Sequence, residues 1–183
     1  MGLLASSRLA KAGLGLLFLG MGLHLIGFAT PEWGTSGINY RRSYYASLTE
    51  GLWMRCSLKG CNYRAVPAGF VIVTAVCESL ALLTVLAGFL VQCVYTCSDS
   101  KKTKCMTITI LVLSIIAGLW MLIGNIIWVA SLENLYVGYS WTLSFIGGLC
   151  CIGAATCAAL EGRQVPTKSP PRPDERVERE DTV

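Results

Sequence analysis

The chain has 183 residues, of which 54% are hydrophobic and only 14% are charged. Soluble domains usually carry roughly 25% charged residues, so the deficit indicates that lipid surrounds most of this chain. The formal net charge of +4 is modest and is spread along the sequence, which argues against a nucleic-acid partner.

Four long apolar segments follow one another along the chain. A bilayer core of about 30 Å needs about 20 apolar residues as helix, and each segment reaches that length. The first is longer than the apolar region of a cleaved signal peptide, so we interpret it as an uncleaved anchor. Four buried helices of a soluble core are the alternative, but a chain this short could not cover them with polar surface. The predicted spans are residues 9–29, 68–93, 105–132 and 141–160.

Lysine and arginine predict which side of the membrane each connection faces, because the cytoplasmic side is usually richer in both. The N-terminus, the turn between spans two and three, and the tail together carry ten of these residues. The loops at 30–67 and 133–140 carry five. We therefore predict that both termini are cytoplasmic and that these two loops lie outside.

The first outer loop, residues 30–67, contains aromatic and β-branched stretches separated by Gly, Ser, Thr and Asn. This pattern is typical of short antiparallel strands. Such a loop has no apolar core of its own and needs a covalent link. Cys56 and Cys61 are the only cysteines in either outer loop, on the predicted oxidising side. We expect a disulfide between them that closes a hairpin; two free thiols are the alternative.

The same loop carries five basic residues against two acidic ones. If it lines a narrow aqueous path, positive charge within about 8 Å of the path would favour anions and repel cations. The candidates for such charge selectivity are Arg55, Lys59 and Arg64. The alternative is that these side chains form a solvated face together with Arg41 and Arg42.

His24, Glu78 and Asn125 are polar residues that fall well inside the predicted spans. A charge in the hydrocarbon core costs roughly 3 kcal/mol or more unless it is paired or neutralised. Counting from the span ends places His24 and Asn125 at similar depth, within reach of a hydrogen bond. The same count places Glu78 deeper, without a basic neighbour. We therefore expect a structural hydrogen bond with a neutral Glu78, in preference to a proton or ion relay.

Several cysteines lie near the predicted cytoplasmic ends of the spans, where S-palmitoylation occurs in many membrane proteins. Cys93 and Cys97 lie at the end of span two, and Cys157 lies near the end of span four. We interpret these three as candidate palmitoylation sites. A reduced, unmodified thiol is the alternative at each.

Residues 161–183 are polar, rich in proline and charge, and without apolar periodicity, so we expect a disordered cytoplasmic tail. The last residues are Asp181, Thr182 and Val183. A free carboxylate on a small apolar residue, with an acidic residue two places before it, fits the groove of a PDZ domain. We therefore expect a cytoplasmic PDZ scaffold protein as a partner.

The sequence contains no recognisable catalytic constellation. Its single histidine lies within a span, its two loop cysteines have no further metal ligand near them, and it lacks a phosphate-binding glycine loop. We expect neither an enzyme nor a bound cofactor.

The first outer loop also contains a set of residues in a distinctive order: Trp33, Gly51, Leu52, Trp53, Cys56 and Cys61. Together they resemble the W…GLW…C…C signature of the claudins and the wider peripheral myelin protein 22 superfamily. The four-span layout and the segment 138–155 are similar to that superfamily as well. The chain departs from claudins in having fewer residues between the two cysteines, a shorter stretch before span two and a short second outer loop.

The resemblance implies a mainly α integral membrane protein. Residues 1–160 would form a four-transmembrane-helix bundle that carries a small extracellular antiparallel β-sheet from the first outer loop. Its tryptophans would anchor that sheet to the bundle.

Two functions follow from the resemblance. One is adhesion and paracellular barrier or ion selectivity at tight junctions of the plasma membrane, through contacts with itself or related tetraspan proteins in cis and trans. The alternative is an accessory subunit that modulates a membrane channel or receptor. A transporter is a third interpretation, which one buried carboxylate and the lack of helix-breaking pairs do not favour.

Overall fold

The computed structural model describes residues 7–36, 49–57, 59–65, 67–97, 104–131 and 135–164. Its four long helices are α1 (Arg8–Ala29), α2 (Gly69–Cys97), α3 (Lys104–Ala130) and α4 (Tyr139–Gln164). Five short strands lie between them: β1 (Gly34–Ser36), β2 (Thr49–Glu50), β3 (Met54–Ser57), β4 (Gly60–Tyr63) and β5 (Leu135–Val137). We call the end of the bundle that carries the strands the sheet end, and the opposite end the terminal end.

All four helices are long and apolar enough to cross a membrane, as the sequence predicts. Many of their large apolar side chains point away from the bundle, which is compatible with lipid contact. The most exposed of these are Phe18, Leu83, Leu90, Ile108 and Ile126.

The helix bounds differ from the predicted spans by more than two residues at two places. Helix α2 continues past residue 93 to Cys97. Helix α4 continues to Gln164, so the first four residues of the predicted disordered tail are helical. The reason lies at Glu161, whose buried carboxylate accepts hydrogen bonds from Ser7 Oγ at 2.5 Å and from the Tyr95 hydroxyl at 3.3 Å. Residues 165–183 lie outside the described residues.

Small residues allow the helix backbones to approach closely. Helix α1 packs more extensively against α4 than against α2. A Cβ atom added at Gly147 would come within 2.9 Å of the Gly20 carbonyl oxygen, so the two glycines allow the close contact of α1 with α4. The bundle core between the helices consists of Leu17, Ala81, Val85, Ala117, Met121, Cys151 and Ala154.

The five strands form one antiparallel sheet in the order β4-β3-β2-β1-β5. The predicted Cys56–Cys61 disulfide is present and joins β3 to β4 as a hairpin, whose turn contains Gly60 at a φ of 121°. The prediction that the sheet comes from the first outer loop alone is incomplete, because β5 belongs to the second loop and pairs Tyr136 with Thr35. Both loops therefore contribute to a single platform.

Candidate functional site

The sheet is fastened to the bundle by indole groups that bond to the end of α1. The last four carbonyl groups of an α-helix have no partner within the helix. Two of these accept hydrogen bonds from tryptophans of the loop: Trp33 Nε1 bonds to Gly27 O at 2.8 Å, and Trp53 Nε1 bonds to Phe28 O at 2.9 Å. The two signature tryptophans thus provide hydrogen-bond donors for carbonyl groups at the end of α1, the helix that precedes the first strand of the sheet.

Trp33 is also the centre of a fully buried aromatic layer beneath the sheet. Its ring lies 5.5 Å from that of Trp128 in an edge-to-face arrangement, and Trp128 Nε1 donates to Trp33 O at 3.1 Å. The Trp33 amide donates to Glu50 O on β2 at 2.9 Å. Leu52 and Val71 complete this tryptophan layer. A single residue therefore links α1, α3 and the sheet.

The glycine of the signature is explained by a close backbone crossing. A Cβ atom added at Gly51 would come within 2.5 Å of Pro31 Cα, which is main chain and cannot move aside easily. Gly138, just before α4, is confined in the same way by the Glu32 carbonyl. Gly51 thus allows the first loop to cross itself above the tryptophan layer, and Gly138 allows the second loop to pass close to the first.

The three candidates for charge selectivity have different surroundings. Glu50 lies between two of them and accepts hydrogen bonds from Arg55 Nη2 and Arg64 Nη2, each at 2.9 Å. Arg64 is only 5% exposed and also donates from Nε to Gly51 O at 3.1 Å, whereas Arg55 is 53% exposed. The geometry therefore makes Arg64 a structural partner of the sheet rather than a surface charge. Lys59 is exposed in the β3–β4 turn, and Arg41 and Arg42 lie outside the described residues.

A second polar site lies inside the bundle, below the tryptophan layer. Each helix supplies one fully buried polar side chain to it: His24 from α1, Glu78 from α2, Asn125 from α3 and Ser144 from α4. We call these four residues the polar quartet. A Cβ atom added at Gly124 would lie 2.5 Å from Glu78 Oε1, so this glycine leaves the space that the carboxyl group occupies.

The contacts of the quartet centre on Glu78. His24 Nδ1 lies 3.3 Å from Glu78 Oε2, and His24 Nε2 lies 3.1 Å from the Glu78 backbone carbonyl oxygen. The Ser144 hydroxyl donates to Glu78 Oε2 at 2.9 Å and also lies 3.2 Å from His24 Nδ1. Asn125 Nδ2 lies 3.5 Å from Glu78 Oε1 and 3.2 Å from Ser144 Oγ.

The sequence prediction that Glu78 has no basic neighbour at its depth is wrong. His24, Asn125 and Ser144 each lie five residues from the sheet end of their helices, whereas Glu78 lies nine residues from the start of α2. Helix α2 therefore extends about 6 Å further toward the sheet than the other three, at 1.5 Å per residue. The expected direct bond between His24 and Asn125 is replaced by a contact of both with Ser144.

The candidate palmitoylation cysteines differ in accessibility. Cys97, in the last turn of α2, is exposed, and Cys93 one turn earlier is half-buried. Cys157 is half-buried on α4 and faces α1, since a Cβ atom added at Gly13 would lie 3.5 Å from its own Cβ. The candidate PDZ-binding residues Asp181, Thr182 and Val183 lie outside the described residues.

Within the described part of the chain, the side chains of His, Cys, Asp and Glu form no group of three or more that could hold a metal ion. An apolar groove of about 400 Å³ lies between the sheet and α2. Its lining includes Leu52, Trp53, Pro67, Ile72 and Val76.

Comparison of the sequence with models of known protein families finds no match, and a search of curated proteins finds no similar chain.

Proposed function

We propose that this chain is a claudin-like tetraspan protein of the plasma membrane. Its four helices span the bilayer, both termini are cytoplasmic, and the sheet end projects outside. The protein contributes to adhesion and to a paracellular barrier at cell–cell junctions. The observation that carries this proposal is the attachment of a two-loop sheet to the helix ends through Trp33 and Trp53, because it makes a rigid platform at the membrane face.

The two edges of the sheet support a role in contacts outside the membrane. All four residues of the edge strand β4 are exposed, including Tyr63 at 81%. On the opposite edge, Tyr136 of β5 is 71% exposed. Exposed tyrosines on a rigid scaffold supply large contact areas at protein interfaces. We propose that these edges meet copies of this protein or related tetraspan proteins, in cis and in trans.

The charges that remain exposed suggest how such a contact could select ions. Lys59 and Arg55 are the exposed basic residues among the three candidates, although Glu50 offsets the charge of Arg55. A fixed positive charge on a narrow path raises the local concentration of anions. We therefore assign the larger share of charge selectivity to Lys59. Palmitoylation of Cys97 and PDZ binding by Val183 would fix the protein at the junction from the cytoplasmic side.

The second candidate function is that of an accessory subunit for a channel or receptor in the same membrane. The observation that favours it is the apolar groove, which runs along exposed residues of α2 such as Ile72 and Val76. These residues face the direction from which a neighbouring transmembrane helix would approach. In that case the partner would fill the groove, and the sheet edges would be secondary.

The two functions are separated by expressing the tagged protein in a polarised epithelial cell layer. We expect enrichment at cell–cell contacts and a higher transepithelial resistance. Tyr63→Ser should abolish both, because it removes the most exposed aromatic side chain of the sheet. The control Phe18→Leu changes an exposed aromatic residue on a helix and should leave both unchanged. A uniform surface distribution with a co-purified channel subunit would contradict the junctional proposal and support the accessory subunit.

A further inference from the structure

The polar quartet contains a histidine whose hydrogen positions can be deduced from its partners. His24 Nε2 lies 3.1 Å from the Glu78 backbone carbonyl oxygen, which can only accept a hydrogen bond. Nε2 therefore carries a hydrogen. If the ring is neutral, Nδ1 then presents a lone pair.

That lone pair would face a carboxylate that also offers only lone pairs. His24 Nδ1 lies 3.3 Å from Glu78 Oε2. The hydrogen of the Ser144 hydroxyl can serve Oε2 or Nδ1, but not both. An ionised carboxylate without a cation in a dry core is strongly disfavoured. One additional proton between the two residues removes both problems.

We infer that the polar quartet is a proton-binding site that holds one proton between His24 Nδ1 and Glu78 Oε2. The proton can reside on the carboxyl group or on the imidazole, and either arrangement joins the two atoms by a hydrogen bond. Release of this proton to solvent leaves a neutral imidazole facing a carboxylate. Addition of a second proton places two donors face to face. The site is therefore most stable with one.

The surroundings of the pair contain few other groups that can exchange protons. On α2 the neighbouring titratable group is the buried thiol of Cys77. Helices α3 and α4 contribute Asn125 and Ser144, whose side chains carry no charge. Within the described residues, the number of protons bound at the site is thus determined by His24 and Glu78.

The position of the proton connects it to the attachment of the sheet. His24 joins α1 to α2, which pack against each other less extensively than α1 with α4, α2 with α3 or α3 with α4. One turn further along α1, the Phe28 ring lies 6.0 Å from that of His24 and 5.1 Å from that of Trp53. The fully buried Trp33 and Trp128 lie between the quartet and the sheet.

The proton count sets the sign of the pH dependence. In an unfolded chain, a glutamate releases its proton near pH 4.3 and a histidine near pH 6.5, approximately. Above about pH 6.5 the unfolded pair binds no proton while the folded pair binds one, so stability falls as pH rises. Below about pH 4.3 the unfolded pair binds two protons, so stability falls as pH decreases. Each limb corresponds to about tenfold in the folding equilibrium constant per pH unit.

Glu78→Gln tests this count because the amide keeps the shape of the side chain and needs no extra proton. With its nitrogen in the place of Oε2, the NH₂ group can donate to His24 Nδ1 and to Ser144 Oγ, and the carbonyl in the place of Oε1 can accept from Asn125 Nδ2. Above about pH 6.5 the stability of the wild type should fall as pH rises, whereas the stability of the variant should stay constant. The variant should instead begin to lose stability below about pH 6.5, where the unfolded chain protonates His24. Glu32→Gln, the same change at a carboxylate outside the quartet, should keep the wild-type profile.

The single histidine of the chain permits a direct measurement on the wild type. In detergent micelles, protein labelled with ¹⁵N in the histidine ring should give one pair of ring signals. We expect Nε2 to carry a hydrogen at every pH at which the protein is folded, and Nδ1 to change in one step that disappears in Glu78→Gln.

Two results would overturn the proposal. One is a hydrogen on Nδ1 with a lone pair on Nε2. The other is an unfolding profile of Glu78→Gln that runs parallel to that of Glu32→Gln across the whole pH range. If Glu78→Gln does not fold, the wild-type ring signals alone decide.

Discussion

The tryptophan layer and the polar quartet lie next to each other in the same half of the bundle, but they are held together by different chemistry. In the tryptophan layer, indole groups donate to backbone carbonyls, and neither partner gains or loses a proton in the physiological range. In the quartet, a histidine and a carboxyl group share a contact that requires one proton. The stability of the tryptophan layer should therefore depend on side-chain volume and be independent of pH. The stability of the quartet should depend on pH and less on side-chain volume.

The largest expected effect comes from the tryptophan layer. Trp33→Ala should cost about 4 kcal/mol of unfolding free energy, because it opens a cavity in a fully buried site and leaves Gly27 O without its donor. The loss should be the same at pH 5 and pH 8, to be checked by denaturant titration in micelles. Trp53→Ala is the control and should cost less, since that ring is 40% exposed. Equal losses would contradict the central position assigned to Trp33.

The next effect breaks the quartet. Glu78→Leu should cost about 2 kcal/mol, because Asn125 Nδ2 loses an acceptor and the hydrogen bond to His24 Nδ1 is removed. The double variant with both Glu78→Leu and His24→Leu should lose less unfolding free energy than the two single variants lose in sum. The reason is that no polar side-chain atom of the pair then remains unsatisfied. Strictly additive losses, measured as a double-mutant cycle, would show that the two side chains do not interact.

A smaller effect concerns the loop crossing above the tryptophan layer. Gly51→Ala places a Cβ atom against the Pro31 main chain and should cost about 1–3 kcal/mol through overpacking. Gly22→Ala is the matched control, because nothing lies within 4 Å of a Cβ atom added there. Thermal unfolding midpoints of the two variants provide the measurement. A control as unstable as Gly51→Ala would rule out the steric explanation.

The smallest effect on stability belongs to the exposed charge. Lys59→Glu should change the unfolding free energy by no more than about 0.5 kcal/mol, yet it should shift the transepithelial dilution potential toward cation preference. Arg163→Glu, a charge reversal on an exposed residue at the terminal end, should change neither quantity. An unchanged dilution potential for Lys59→Glu would remove this residue from the selectivity proposal.

The helices and the disulfide could be predicted from sequence because their signals are local. Four apolar segments of sufficient length predict four helices, and this prediction does not depend on how the helices pack against one another. Cys56 and Cys61 are close enough in sequence that a hairpin brings them together. The burial of Arg64 could not be foreseen, since it depends on Glu50, which lies 14 residues earlier on strand β2.

The neighbours of Glu78 escaped prediction for a geometric reason. Counting residues from span ends assumes that all helix ends lie in one plane, and α2 violates this by extending further toward the sheet. The pairing of β5 with β1 was missed because the second loop is too short to show a strand pattern alone. Both features become visible only when the packing of the helices is known.

The central claim is that the sheet end meets its counterpart on a neighbouring cell. The most direct measurement is a mixed layer in which tagged, expressing cells border both expressing and non-expressing cells. The account predicts that the protein concentrates at borders between two expressing cells and that Tyr63→Ser abolishes this concentration. An equal density at both kinds of border would contradict it.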